Sequence, residues 1–158
     1  MNIFFTSRNP VVAAQGLGDS HILKQILETA QLLDTAHNVS LVARPKSVFN
    51  NPCAMWARSS RENYTWLFQH FEELLNEYSY RFGKVHAYMK YVTHLQNVDG
   101  CKFSGFGWSD PPLIAPAIYQ RLVEPTKVYR AYYRHGKKSL HHWTKRNPPG
   151  WLYNVNNS

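Results

Sequence analysis

The sequence predicts an all-α fold, a single compact domain of about three main helices with a long ordered loop before the last of them. Three observations predict it. Two segments carry apolar residues at helical spacing over several turns, and no segment alternates apolar and polar residues for long enough to build a sheet. The chain has 158 residues, 44% hydrophobic and 15% aromatic, which fills one core and not two comfortable ones.

The elements follow in order. Ile3, Phe4 and Phe5 allow one short strand near the start. In DSHILKQILETAQLLDTAH the residues Ile22, Leu23, Ile26, Leu27, Ala30 and Leu33 share a face, and Asp19 or Ser20 can cap the first turn. The opposite side stacks His21, Lys24, Glu28, Gln31 and Thr35 into one polar stripe. A connection from Asn38 to Pro52, bearing Pro and Asn, leads to a second helix announced by Ser59 and Glu62 as a capping box and stopped by Gly83. Its apolar face is Tyr64, Leu67, Phe68, Phe71, Leu74, Leu75, Tyr78 and Phe82. Residues 84–123 hold no lasting period and read as the long ordered loop, in which Phe106 and Trp108 either pack or wedge into a base stack. Pro125 opens a third helix that ends at Gly136, and SLHHWTKR adds a turn or two.

Charge separates the last part of the chain from the rest. Between Arg121 and Arg146 stand eight cations, Arg121, Lys127, Arg130, Arg134, Lys137, Lys138, Lys145 and Arg146, against the single acid Glu124, which accounts for +7 of the total +8. Tyr129, Tyr132, Tyr133 and Trp143 are interleaved with them. A cationic field with flat rings suits a phosphate backbone carrying stackable bases, so residues 121–158 are expected to be a basic aromatic segment packed on the helical body and gripping nucleic acid.

Other chemistries find little support. Cys53 and Cys101 are far apart and read as reduced thiols. The eight histidines show no ligand spacing, so neither a metal nor a cofactor is expected. A phosphate-binding glycine loop is absent, and GFG at Gly105 to Gly107 is too short to serve as one. No apolar run approaches the roughly 20 residues that span a bilayer, and the first residues lack the pattern of a secretory signal. A monomer in the cytoplasm, with no membrane partner, is the expectation. Glu28 is the best single candidate for catalysis: a carboxylate in mid-helix can stabilise a developing cation or move a proton, while His21 and Lys24 beside it tune its ionisation and hold substrate.

Three blocks then stand in a telling order. Asp19, His21 and Glu28 lie on an early helix, Arg81, Phe82 and Gly83 close a central aromatic helix, and Tyr129, Arg130, Tyr132, Tyr133 and Gly136 follow in the basic run. In this order and approximate spacing they resemble the phage endonuclease V type of pyrimidine-dimer DNA glycosylase, a small all-helical base-excision enzyme. The resemblance implies a glycosylase with possible abasic-site lyase activity, working on double-stranded DNA in a phage-infected host cell. It implies Glu28 as the carboxylate that stabilises an imine intermediate, His21 as its partner in the site, and a chain-start amine, here that of Met1, as nucleophile. It implies DNA contacts along the Tyr129 to Lys138 run, through Tyr129, Arg130, Tyr132, Tyr133, Arg134, Lys137 and Lys138; the polar stripe and the basic run add Lys24, Gln31, Arg121, Lys127 and Trp143 as candidate nucleic-acid contacts. The chain departs from that pattern where Asn2 replaces a smaller second residue and where Leu27 and Gln31 replace arginines, leaving Lys24 as the only lysine or arginine on the helix. Two further readings are a non-catalytic nucleic-acid-binding protein that uses the basic segment, and a transferase that modifies bases of hypermodified phage DNA.

Overall fold

A computed structural model describes residues 1–153. The last five positions of the expected basic segment lie outside the described residues. Seven α-helices run along the described chain: α1 (Pro10–Gln15), α2 (Asp19–Asp34), α3 (Pro52–Ala57), α4 (Arg61–Phe82), α5 (Val92–Gln96), α6 (Ala117–Gln120) and α7 (Pro125–Gly136). Among these residues there is no strand. Ile3 to Phe5, the expected short strand, instead enter the core as irregular chain with the Phe5 amide bonded to the Ile3 carbonyl and the Thr6 amide to the Phe4 carbonyl, and a lone bridge joins His37 to Cys101. The all-α expectation is met.

Local chemistry sets most of the helix ends. Asn9 caps α1 by accepting from the amides of Val11 and Val12, with Pro10 in the first turn. The start of α4 is shifted by one residue from the expected capping box. Ser60 accepts from Asn63, while Ser59 donates to the Trp56 carbonyl and Glu62 accepts from the Gly107 amide. Gly83 closes α4 at φ 66°, a left-handed conformation that favours glycine. Glu124 caps α7 through the Lys127 amide at 2.9 Å. The α2 cap differs from expectation, because Gly18 holds that position without a side chain and Asp19 turns to other partners.

The 22-residue α4 is the spine on which α2 and α1 pack. The buried face of α2 is rotated from the expected one. Leu23 and Leu27 are 45% and 41% exposed, whereas Gln25, Thr29, Gln31 and Thr35 are buried. The rotation follows from cover on several sides, by α4, α3 and the loop after α2, which encloses its last turns regardless of polarity. The expected loop 84–123 contains α5, α6 and a short 3-10 helix, and its remainder is ordered by side-chain anchors. The trailing SLHHWTKR contributes only one 3-10 turn, Lys138–Leu140.

The C-terminal segment is bound to the body by buried polar groups. Val128, Tyr129 and Tyr133 of α7 have no accessible surface. Arg130 Nε donates to the Thr6 carbonyl at 2.9 Å and Arg134 Nε to the Leu152 carbonyl at 3.0 Å. Arg81, fully buried, pairs with Glu77 at 2.8 Å and Asp19 at 3.1 Å and donates to the carbonyls of Leu17 and Gln15, while Arg146 reaches the same Glu77. With every charge paired and hydrogen-bonded, the network fixes where the segment lies, and removing one partner would leave an uncompensated buried charge. No helix among the described residues is long and apolar enough to cross a membrane.

Candidate active-site cleft

The start of α2, the chain start and the end of α7 meet at an open cleft of about 350 Å³. Gly18 makes the junction possible. A Cβ there would lie 1.9 Å from the Leu140 carbonyl oxygen, so only glycine lets α2 start against the segment after α7. Asp19 locks the same junction by accepting from Thr144 and contacting His142 Nδ1 at 2.9 Å. Burial pushes its carboxyl up, but the bonds from Thr144, His142 and Arg81 prevail and hold its pKa at about 2.

The cleft brings together the three expected catalytic residues, Met1, His21 and Glu28, with Lys24 and with Tyr132 and Lys137 of the basic segment. Glu28 keeps 13% of its side-chain surface; Gln25 donates to it at 2.9 Å, and the Lys24 ammonium lies 3.7 Å from its other oxygen. Lys24 is 68% exposed and Lys137 stands over the rings of Tyr132 and Phe4, 5.2 and 5.9 Å from their centroids. The cleft is therefore cationic at its rim with one carboxylate on its wall.

His21 is held neutral. Burial, and then the nearby charges of Lys137 and Lys24, lower its pKa to about 3. The Tyr133 hydroxyl accepts from the Gly18 amide at 2.8 Å, so its own hydrogen is free to point at His21 Nδ1, 3.3 Å away. That bond selects the tautomer with hydrogen on Nε2, and Nε2 has no partner among the described residues. His21 thus offers a neutral N–H donor in the cleft that Glu28 also lines. Phe4, edge-on to the His21 ring at 4.4 Å, fixes its plane.

Other predicted contacts lie elsewhere. Tyr129 and Tyr133 are fully buried, and their hydroxyls bond inside the protein, Tyr129 to Asn2 and Pro112. As placed, they position the segment and present no ring to a ligand. Gln31 is buried and donates to the Ala43 carbonyl. Arg130 and Arg134 are braced on backbone carbonyls, and Trp143 is half-buried with its indole directed at the Gly16 carbonyl. Arg121, Lys127 and Lys138 remain exposed, outside the cleft lining. The sequence reading missed Gln25, Phe4 and Ser20 in the lining; Gln25 was detectable, since three residues before Glu28 it shares that helical face.

Cys53 lies near the site without belonging to its lining. Burial raises its thiol to about 11, against the pull of the Ile3 amide and the Met1 amino group, so it is a packed thiol and no nucleophile at neutral pH. No group of three or more histidine, cysteine or acidic side chains among the described residues is arranged to hold a metal ion. No family model, curated protein or solved structure matches the chain, so the cleft is read from its own residues.

Proposed function

We propose that the chain is a DNA-acting enzyme of glycosylase type that cleaves the N-glycosidic bond of a damaged or modified pyrimidine in duplex DNA. The observation that carries this reading is the meeting of Glu28, neutral His21 and the Met1 residue in one cleft rimmed by Lys24 and Lys137. The three-block resemblance to pyrimidine-dimer glycosylases supports the same chemistry.

In this reading an amine of the cleft, that of Met1 or Lys24, attacks the sugar C1′. The new N–C1′ bond forms as the C1′–N1 bond breaks, the electron pair leaves on the base, and the base takes a proton. Positive charge develops on the sugar as the bond stretches, and the Glu28 carboxylate, oriented by Gln25, stabilises it there. The His21 Nε2–H donates to an oxygen of the sugar or base. The attacking nitrogen gives up a proton and its lone pair forms the C1′=N bond as the C1′–O4′ bond breaks, with that electron pair going to O4′, which takes a proton. Water then adds to C1′ of this imine, and the C1′–N bond breaks to return the amine. Extruding a nucleotide costs a few kcal/mol, offset by the cations and by stacking on Tyr132, the ring of the basic run that lines the cleft.

The test is incubation of the protein with ultraviolet-irradiated, uracil-containing and phage-modified duplexes, with detection of free base and of adducts trapped by borohydride. Base release with an adduct that disappears on blocking the Met1 amine or on Lys24→Gln is expected. If every duplex comes back unaltered and no adduct forms, the enzyme reading falls.

A further inference from the structure

Away from the cleft, the far end of α3 and the loop after α5 form a second surface. Arg58 stands 3.8 Å over the Phe49 ring, and with Met55, Lys102, Phe103 and Ser104 it lines a hollow of about 330 Å³. Its Nη1 is buried and has no hydrogen-bond partner among the described residues. Burial, and then the guanidinium of Arg44, disfavour charge on Arg58, and Arg44 is itself committed to Asp34 at 3.0 Å. Two cations, Arg58 and Lys102, thus line a hollow that has no acid among its lining residues.

Beside the hollow, Phe106 is 95% exposed. The loop holding it is fixed on both sides. Ser104 donates to the Arg58 carbonyl at 3.2 Å, Gly107 to Glu62 at 2.9 Å, and Ser109 to Asn63 at 3.0 Å, with the Trp56 indole on the Ser109 carbonyl at 2.9 Å. Gly107, at φ 85°, supplies the turn that leaves the ring standing outward. At this exposure the Phe106 ring buries almost no surface against the fold.

We propose that Arg58, Lys102 and Phe106 form a second nucleic-acid contact, in which the two cations hold a backbone phosphate and the Phe106 ring stacks on or wedges beside a base. An anion offsets the two cations that line the hollow, and a base covers the ring; a polynucleotide strand supplies both at adjacent positions. The inference rests on the nucleic-acid reading of the cleft and adds a binding surface remote from the basic C-terminal segment.

The test is the salt dependence of binding to a fluorescein-labelled 24-base-pair duplex and to a labelled oligothymidylate. The variants are Arg58→Gln/Lys102→Gln, Phe106→Ala, and Lys127→Gln/Lys138→Gln, each confirmed as folded by its thermal melt. For Arg58→Gln/Lys102→Gln the slope of log affinity against log salt should fall in magnitude by roughly 0.9 for each duplex phosphate that no longer meets a cation. Phe106→Ala should weaken binding by about 5- to 150-fold and leave the slope as it is. If duplex binding responds to Lys127→Gln/Lys138→Gln and not to the other two, the second surface is overturned while the cleft reading stands. If the wild type binds only the oligothymidylate, through Arg58 and Phe106, the second surface stands and the duplex reading of the cleft falls. Failure to bind either probe overturns both.

Discussion

Replacing Tyr133 with Phe removes one oxygen from a fully buried side chain and tests how His21 is set. The Gly18 amide loses its acceptor at 2.8 Å, and His21 Nδ1 loses the hydroxyl at 3.3 Å. A buried donor left without a partner costs about 1–3 kcal/mol, so a loss near 2 kcal/mol is expected, or about 4–8 °C in Tm for a chain of this size. Tyr64→Phe is the matched control. Its hydroxyl is equally buried and donates to the Leu95 carbonyl at 2.6 Å, with His37 Nε2 at 2.7 Å, but neither of these partners lines the cleft as His21 does. Both variants should lose similar stability in thermal and urea unfolding. Only Tyr133→Phe should mix the His21 tautomers in nitrogen-15 spectra and slow base release. Refutation would be a Tyr133→Phe protein with wild-type Tm and an unchanged His21 tautomer.

Three further outcomes follow from the same geometry. Gly18→Ala drives a Cβ to 1.9 Å from backbone, so it should cost about 3 kcal/mol and open the chain near Lys137 and Lys138 to trypsin; wild-type Tm and protection would contradict the junction. Asp19 has its pKa lowered from 3.8 to about 2, so its stabilisation, about 2 kcal/mol, is complete above pH 3.8 and is lost as pH falls through about 2. Asp19→Asn should therefore be less stable than wild type at pH 7, with the deficit shrinking as pH falls from 4 to 2 and vanishing below about 2, in urea titrations at each pH; a deficit independent of pH would sink this assignment. Cys53 should resist a thiol reagent at pH 8 until urea unfolds the chain, and rapid native modification would show the thiol to be open.

Much of this was legible in the residues, and what was not has physical causes. The helices α2 and α4 announce themselves by their apolar period and α7 by Pro125 and Gly136, because each runs for three turns or more, while the caps of α2 and α4 fall one residue from the expected positions. The six-residue α1 and α3 are too short for a period to show, although Asn followed by Pro marks both starts. Of the polar stripe of α2, His21, Lys24 and Glu28 line the cleft, whereas Gln31 and Thr35 are buried. Spacing along one helix carries no information about the loop that folds over its last turns. Likewise the rings of the basic run divide by face: Tyr129 and Tyr133, four residues apart, turn to the core with Val128, while Tyr132 turns to the cleft. Arg81 gave little sign of burial beyond Glu77 one turn before it, since its other partners lie more than sixty residues away.

The central claim is that the cleft does chemistry on DNA and that Glu28 carries it. The most direct measurement compares Glu28→Gln with wild type on a duplex the wild type acts on, reading affinity and single-turnover base release side by side. Affinity should stay within about twofold and the release rate should drop by about 100-fold or more, because the amide keeps the shape and loses the charge. Release at the wild-type rate from Glu28→Gln, with binding intact, would contradict it.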